Sequence, residues 1–190
     1  SILKNNKIPI VNLHIGYLPY NRGAHPNFWS FVDNTPSGVT IHEVSEKIDS
    51  GKIIYQKMID FKLYENSSKL TFSNTYERLI NEIEDLFIDK FDELISKKYN
   101  SFEQIGKGSF HNKSDLPKKL LKDWNQNILK IVKKYHIQKK ILMQKNLDII
   151  DQIEKTRKNN NINWMNIIRT SLKSSSEETL EILKQINIDD

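Results

Sequence analysis

The sequence contains no cysteine. That excludes disulfides, thiol nucleophiles and zinc sites built on thiolates. It also lacks any apolar run near the roughly 20 residues that a membrane-spanning helix needs. No apolar signal-peptide core stands at its start. These absences predict a cytoplasmic protein with no membrane partner. The five histidines are scattered without an H-x-x-x-H spacing, so no metal site is expected.

What is present describes a polar globular chain of 190 residues, 37% hydrophobic and 28% charged. That is enough for one domain with an appendage or for two small domains. The formal net charge of +5 admits a nucleic acid, a membrane surface or a phosphorylated substrate. Lysine, asparagine and isoleucine are abundant together, the surface bias of an AT-rich genome. A solvated lysine surface accounts for the charge, and no nucleic-acid partner is expected.

The first third reads as α/β. Ile8-Pro9-Ile10-Val11-Asn12-Leu13-His14 is rich in β-branched residues, as a buried parallel strand is. His25 to Val32 predicts a short helix with Pro26 in its first turn. Asp33-Asn34-Thr35-Pro36-Ser37-Gly38 is a dense turn signal. Gly38 to Val44 and Lys52 to Ile59 predict strands, with residues 45–51 as the loop between them. Tyr76, Leu79, Ile80, Ile83, Phe87, Phe91, Leu94 and Ile95 recur at helical spacing and predict one long amphipathic packing helix.

From Leu116 to Arg157 the helical spacing returns, through Leu120, Trp124, Ile128, Ile131 and Tyr135 to Ile153. Asn159-Asn160-Asn161 is expected to break it, and two short helices to follow. Ser174 to Glu178 offers capping-box spacing for the last. The shift from α/β to all-helical composition places a boundary at residue 116, dividing 1–115 from 116–190.

Asn12 and His14 lie two residues apart, so on a strand they project from the same face while Leu13 packs the other way. Both stand at the strand's carboxyl end, where open α/β sheets bind ligands. A turn follows at once, Tyr17 to Gly23. Asp49 is an ordinary turn aspartate near Gly51 unless the fold brings it to His14. Arg22 offers either a bidentate hold on phosphate or a turn-stabilising contact. Tyr17 and Trp29 could shape a pocket or simply pack. His111 sits in a loop, and His25 and His42 read as structural.

The stretch "NLHIGYLPYNRGAHPNFWSFVDNTPSGVTIHEVSEKIDSGKIIYQ" resembles the catalytic core of the 10-formyltetrahydrofolate-dependent formyltransferases, in wording nearest to the sugar N-formyltransferases. Asn-x-His, Leu18-Pro19, Arg22-Gly23, Gly38 to His42 and Asp49-Ser50-Gly51 match in order and spacing. Two departures stand out. Ile15-Gly16 replaces the usual Pro-Ser, and Ser50 replaces a common threonine. Members of the family carry several βα units before the Asn-x-His strand, so the resemblance leads one to expect further residues before Ser1.

The resemblance implies a fold and a chemistry. The fold is α/β: the carboxyl-terminal part of a Rossmann-like formyltransferase domain, followed by an all-helical region. The chemistry is transfer of a formyl group from 10-formyltetrahydrofolate to the amine of a nucleotide-linked amino sugar destined for a surface polysaccharide. Asn12, His14 and Asp49 are the implied catalytic residues; Glu46, Ile48 and Asp49 the folate contacts; Tyr17 and Arg22 the substrate contacts. The helical region is expected to pack on the catalytic part or to form a homodimer. Alternatives are a methionyl-tRNA formyltransferase, disfavoured because its carboxyl domain is β-rich, and a truncated, non-catalytic module that mediates association.

Overall fold

A computed structural model describes residues 10–61, 69–174 and 181. The chain divides into two compact units, Ser1–Ile137 and Gln138–Asp190. In chain order the first unit holds β1 (Val11–His14), β2 (Arg22–Gly23), helix α1 (Pro26–Val32), β3 (Gly38–Glu43), β4 (Ile53–Met58), α2 (Phe72–Asp89), α3 (Phe91–Ile95) and β5 (Phe110–His111). Helix α4 spans Ile128–Ser174.

β3 is the middle strand of a three-stranded sheet in the order β1-β3-β4, antiparallel throughout. Its residues are buried on both faces, as expected of a strand covered from two sides. Val39 and Ile41 enter a core with Ile54, Ile59, Phe61, Leu79, Ile83 and Leu94. Thr40 and His42 occupy the opposite face, equally buried. A second core joins α1 to later elements: Phe28, Trp29 and Val32 meet Phe72, Leu121, Ile128 and Ile131. Residues 116–137 therefore contribute to the core of the first unit.

β1 was expected to be parallel within its sheet. The structure pairs it antiparallel with β3, because the turn after His14 and the short helix α1 return the chain in the reverse sense. Among the described residues β1 has no neighbour on its other side. The short β2 and β5 form a separate parallel pair.

The predicted helix through Ile95 is two helices. α2 begins with a capping box in which Thr71 Oγ1 accepts from the Asn74 N–H and Asn74 Oδ1 accepts from the Thr71 N–H. It ends at Lys90, whose φ of −101° and ψ of 5° leave the helical region, and α3 restarts there. The predicted helix from Leu116 begins only at Ile128. Asn127 precedes it and its Oδ1 accepts from the Lys130 N–H at 3.1 Å, an N-cap. The helix also runs straight through Asn159-Asn160-Asn161. Asparagine costs only a few tenths of a kcal/mol in a helix interior, too little to stop one flanked by better formers. The capping residues expected from Ser174 to Glu178 lie outside the described side chains.

Within the second unit, Leu142, Ile149, Ile153, Trp164 and Ile167 recur at intervals that fall on one face of α4, and all are exposed. No described helix is long and apolar enough to cross a membrane.

Candidate active site

Strand register assembles the site. Across the β1–β3 pair Asn12 stands opposite His42, and His14 opposite Thr40. Opposed residues and alternate residues share a face, so all four side chains gather on one side of the sheet. The β3–β4 register shifts between Ile41 and His42. There Ile41 pairs with Tyr55 and His42 with Ile53, so the extra residue, Ile54, lies on β4.

Asp49 arrives from the loop between β3 and β4. It adopts a left-handed backbone, φ 49°. Two residues on, Gly51 packs so tightly that a Cβ there would lie 1.7 Å from the Glu43 carbonyl oxygen. Only glycine fits, and the loop is folded back onto the end of β3.

The Asp49 carboxylate is the hub. Its Oδ2 accepts from the Gly23 N–H at 2.8 Å and lies 3.6 Å from His14 Nδ1. Its Oδ1 accepts from Asn12 Nδ2 at 3.1 Å and lies 3.5 Å from His42 Nε2. His42 Nδ1 is 2.8 Å from the Glu43 carbonyl, so that nitrogen carries the proton. In the neutral ring Nε2 is then an acceptor and takes the second hydrogen of Asn12 Nδ2, at 3.2 Å. Both amide hydrogens of Asn12 are therefore engaged.

Burial pushes the His14 pKa down from 6.5 to about 4, with His42 adding to the fall; Asp49 and the backbone of Asn21 oppose it. The ring is only 6% exposed and its Nε2 makes no hydrogen bond among the described residues. His14 is therefore a neutral imidazole at pH 7, with one nitrogen against a carboxylate and the other able to take a proton. For Asp49, burial acts upward, but the neighbouring His42 and His14 rings and the Gly23 N–H outweigh it and hold the carboxyl below its ordinary value. It stays ionised.

The structure thus brings Asn12, His14 and Asp49 together, the three residues the resemblance singles out. His42, read as structural, belongs to the same network. Strand parity alone could not have found it, since Asn12 and His42 meet only through the β1–β3 register. The other candidates lie apart. Glu46 and Ile48 sit at the exposed loop tip, Ile48 63% exposed. Tyr17 is half-buried against Gly38. Arg22 donates from Nε to Gln104 Oε1 at 3.0 Å. Trp29 is core, stacked on the His111 ring at 4.0 Å, and His111 Nε2 pairs with Asp33 at 2.8 Å.

Beyond Ile15 opens a cavity of about 440 Å³, lined by Ile15, His25, Pro26, Phe72, Tyr76 and Trp124 among others. Its walls are mostly apolar, with His25 lying beside Trp124 at a ring separation of 5.7 Å. It suits a ligand with one apolar face and a few polar groups.

Residues 1–79 match the family model described as Formyl transferase. The dTDP-4-amino-4,6-dideoxyglucose formyltransferase of Mycobacterium tuberculosis (strain ATCC 25618 / H37Rv) is 31% identical over 116 residues, 61% of this chain and 47% of that protein. The chain thus spans about half the length of this curated relative. The formyltransferase PseJ from Anoxybacillus kamchatkensis, solved with UDP-4,6-dideoxy-4-formamido-L-AltNAc and tetrahydrofolate, is 40% identical with a TM-score of 0.59, over 64% of this chain and 63% of that one. A sugar N-formyltransferase from Shewanella sp FDAARGOS_354 is 31% identical with a TM-score of 0.55, over 67% of this chain and 51% of that one. The fold is that of the Rossmann-like formyltransferases, and the chain resembles the sugar N-formyltransferases among them.

Proposed function

We propose that this chain carries the catalytic centre of an N-formyltransferase that moves a formyl group from 10-formyltetrahydrofolate to the amine of a nucleotide-linked amino sugar. The observation that carries the reading is the meeting of Asn12, His14 and Asp49 at one end of the sheet, with His14 buried and neutral. Relatives described as acting on, or bound to, dideoxyamino-sugar nucleotides support the substrate class.

In this reading the amine nitrogen bonds to the formyl carbon, the bond from that carbon to the folate nitrogen breaks, and one proton passes from the amine to the departing nitrogen. His14 carries that proton, being neutral and having a free ring nitrogen. Asp49 fixes the ring through Nδ1. Asn12 donates to the formyl oxygen as negative charge develops there, exchanging its contact with His42 Nε2 for the new one. The exposed loop of Glu46 and Ile48, with Asp49 at its base, faces the folate. Arg22 and Tyr17 serve the substrate side, and the apolar cavity beyond Ile15 takes the deoxygenated face of the sugar.

The test is direct. The protein is incubated with 10-formyltetrahydrofolate and either dTDP-4-amino-4,6-dideoxyglucose or a UDP-linked 4-amino sugar, and mass spectrometry follows the sugar. A formamide product on one of them is the expected result. No transfer to either, with an amine on another molecule formylled instead, overturns the substrate class.

The same reading places residues 1–115 as the catalytic part, the protein in the cytoplasm, its product in polysaccharide synthesis, and the helical region as a homodimer contact. Five exposed apolar residues on one face of α4 support the last, since such a face left bare favours association. Light scattering on the protein is expected to give twice the chain mass. A monomer at micromolar concentration removes the dimer from the proposal.

A further inference from the structure

Gln104 stands 55 residues beyond Asp49, in a segment with no helix or strand of its own. It is nevertheless fixed in place. Two residues earlier, Phe102 and Ile53 exchange both backbone hydrogen bonds at 2.9 Å, tying the segment to the start of β4. From that anchor Gln104 reaches the loop that bears Asp49. Its Nε2 donates to the Asp49 carbonyl at 2.8 Å and to the Gly51 carbonyl at 2.8 Å, one hydrogen to each. Its Oε1 accepts from Arg22 Nε at 3.0 Å. Arg22 is the neighbour of Gly23, whose N–H holds the Asp49 carboxylate. One side chain thus bridges both sides of the carboxylate: the backbone that carries it and the turn that binds it.

The rest of the loop shows why such a bridge matters. Apart from the Asp49 carboxylate itself, its other side-chain contacts are local, Ser50 Oγ to the Lys47 carbonyl and Ser45 Oγ to Ser50 Oγ. These shape the loop without holding the backbone that carries Asp49 to anything beyond it. Gly51 against Glu43 fixes its far end. The left-handed backbone at Asp49 is sparsely populated for a non-glycine residue and persists only where the surroundings hold it. An amide with two donors and one acceptor, all used, meets that need; a hydrophobic side chain of the same size would leave two loop carbonyls unpaired.

We propose that Gln104 is a positioning residue for the reaction: by clamping the Asp49 and Gly51 carbonyls and Arg22 together, it keeps the Asp49 carboxylate against His14 Nδ1. It touches no reacting atom. It acts through Asp49, and the inference rests on the formyl-transfer reading only for its kinetic consequence, not for the geometry.

The experiment joins two readouts. Gln104→Met keeps the side-chain length and removes all three hydrogen bonds. Formyl-transfer kinetics on this variant are expected to show kcat lowered on the order of 10–100-fold, the scale of a small misplacement of a reacting group, with KM changed by less than about threefold. In parallel, ¹⁵N-histidine NMR follows the titration of His14 in wild type and variant. The charged groups and rings facing it are Asp49 and His42. With Asp49 drawn away, His14 is expected to titrate at lower pH than in wild type. A merely structural contact would not move that titration.

Gln104→Glu serves as the second variant. It keeps the acceptor for Arg22 but turns an oxygen toward two carbonyl oxygens, and is expected to lose as much kcat as Gln104→Met. Full rate in Gln104→Glu, or an unmoved His14 titration in Gln104→Met, overturns the proposal. Absence of formyl transfer in wild type together with a shifted His14 titration in the variant leaves the clamp standing and removes the reaction.

Discussion

Turnover of the His14→Ala variant is expected to fall by about 10²–10⁴-fold, the usual size of a general acid–base contribution. The reasoning begins with burial. A histidine 6% exposed pays to be charged, and this one is pushed down to about 4. The working form is the neutral ring, so activity is present above that pKa and lost as pH falls through it. The wild-type kcat/KM profile should therefore stay level from pH 8 down to about pH 5 and bend only near pH 4, provided the enzyme stays folded there. An unperturbed histidine would bend the profile near 6.5. The variant keeps whatever rate binding and the Asn12 donor supply, and its residual profile should lack that limb. Near-normal turnover in His14→Ala, or a wild-type limb centred at 6.5, removes His14 from its role.

The placement of His14 was legible in the sequence because it depends on two local rules. Strand parity puts Asn12 and His14 on one face, and the carboxyl end of a strand is where α/β folds place their chemistry. Asp49 was reachable only through the family-like spacing, since a turn aspartate beside glycine has no local feature that distinguishes it. The contact of His42 with this network depends on the pairing of Asn12 with His42 across two strands. That register is not written in a period-2 pattern. Gln104 is invisible for a stronger reason: its three bonds run to Asp49, Gly51 and Arg22, and its own segment has no periodicity.

The elements followed the same logic. The runs Gly38 to Val44 and Lys52 to Ile59 end within one residue of the observed β3 and β4. The helix errors came from weak local penalties. Lys90 is a good helix former, yet the chain leaves the helical region there. The three asparagines at 159–161 are poor formers, yet α4 passes through them. Propensities worth tenths of a kcal/mol do not decide boundaries against capping and packing.

Asp49→Asn is expected to cost a comparable amount, on the order of 10²–10⁴-fold in turnover, with little change in fold. The substitution is nearly isosteric, so the loop, Gly51 and the Gln104 bridge can all remain. What changes is hydrogen-bond polarity. The carboxylate accepts from the Gly23 N–H on one oxygen and from Asn12 Nδ2 on the other. An asparagine has one acceptor oxygen and one donor nitrogen. If its oxygen stays on Gly23, its NH2 meets the NH2 of Asn12; turned over, it meets the Gly23 N–H instead. Either way one contact becomes donor against donor, and Asn12 loses its orientation. The same change removes the charge that lies 3.6 Å from His14 Nδ1 and supports the protonated ring during proton transfer. His14 is then expected to be harder to protonate, and its titration to fall below that of wild type. Steady-state kinetics should show the loss in kcat with KM little altered, and circular dichroism should show an unchanged fold. A variant with wild-type kcat would show that Asp49 holds the loop and takes no part in the proton transfer.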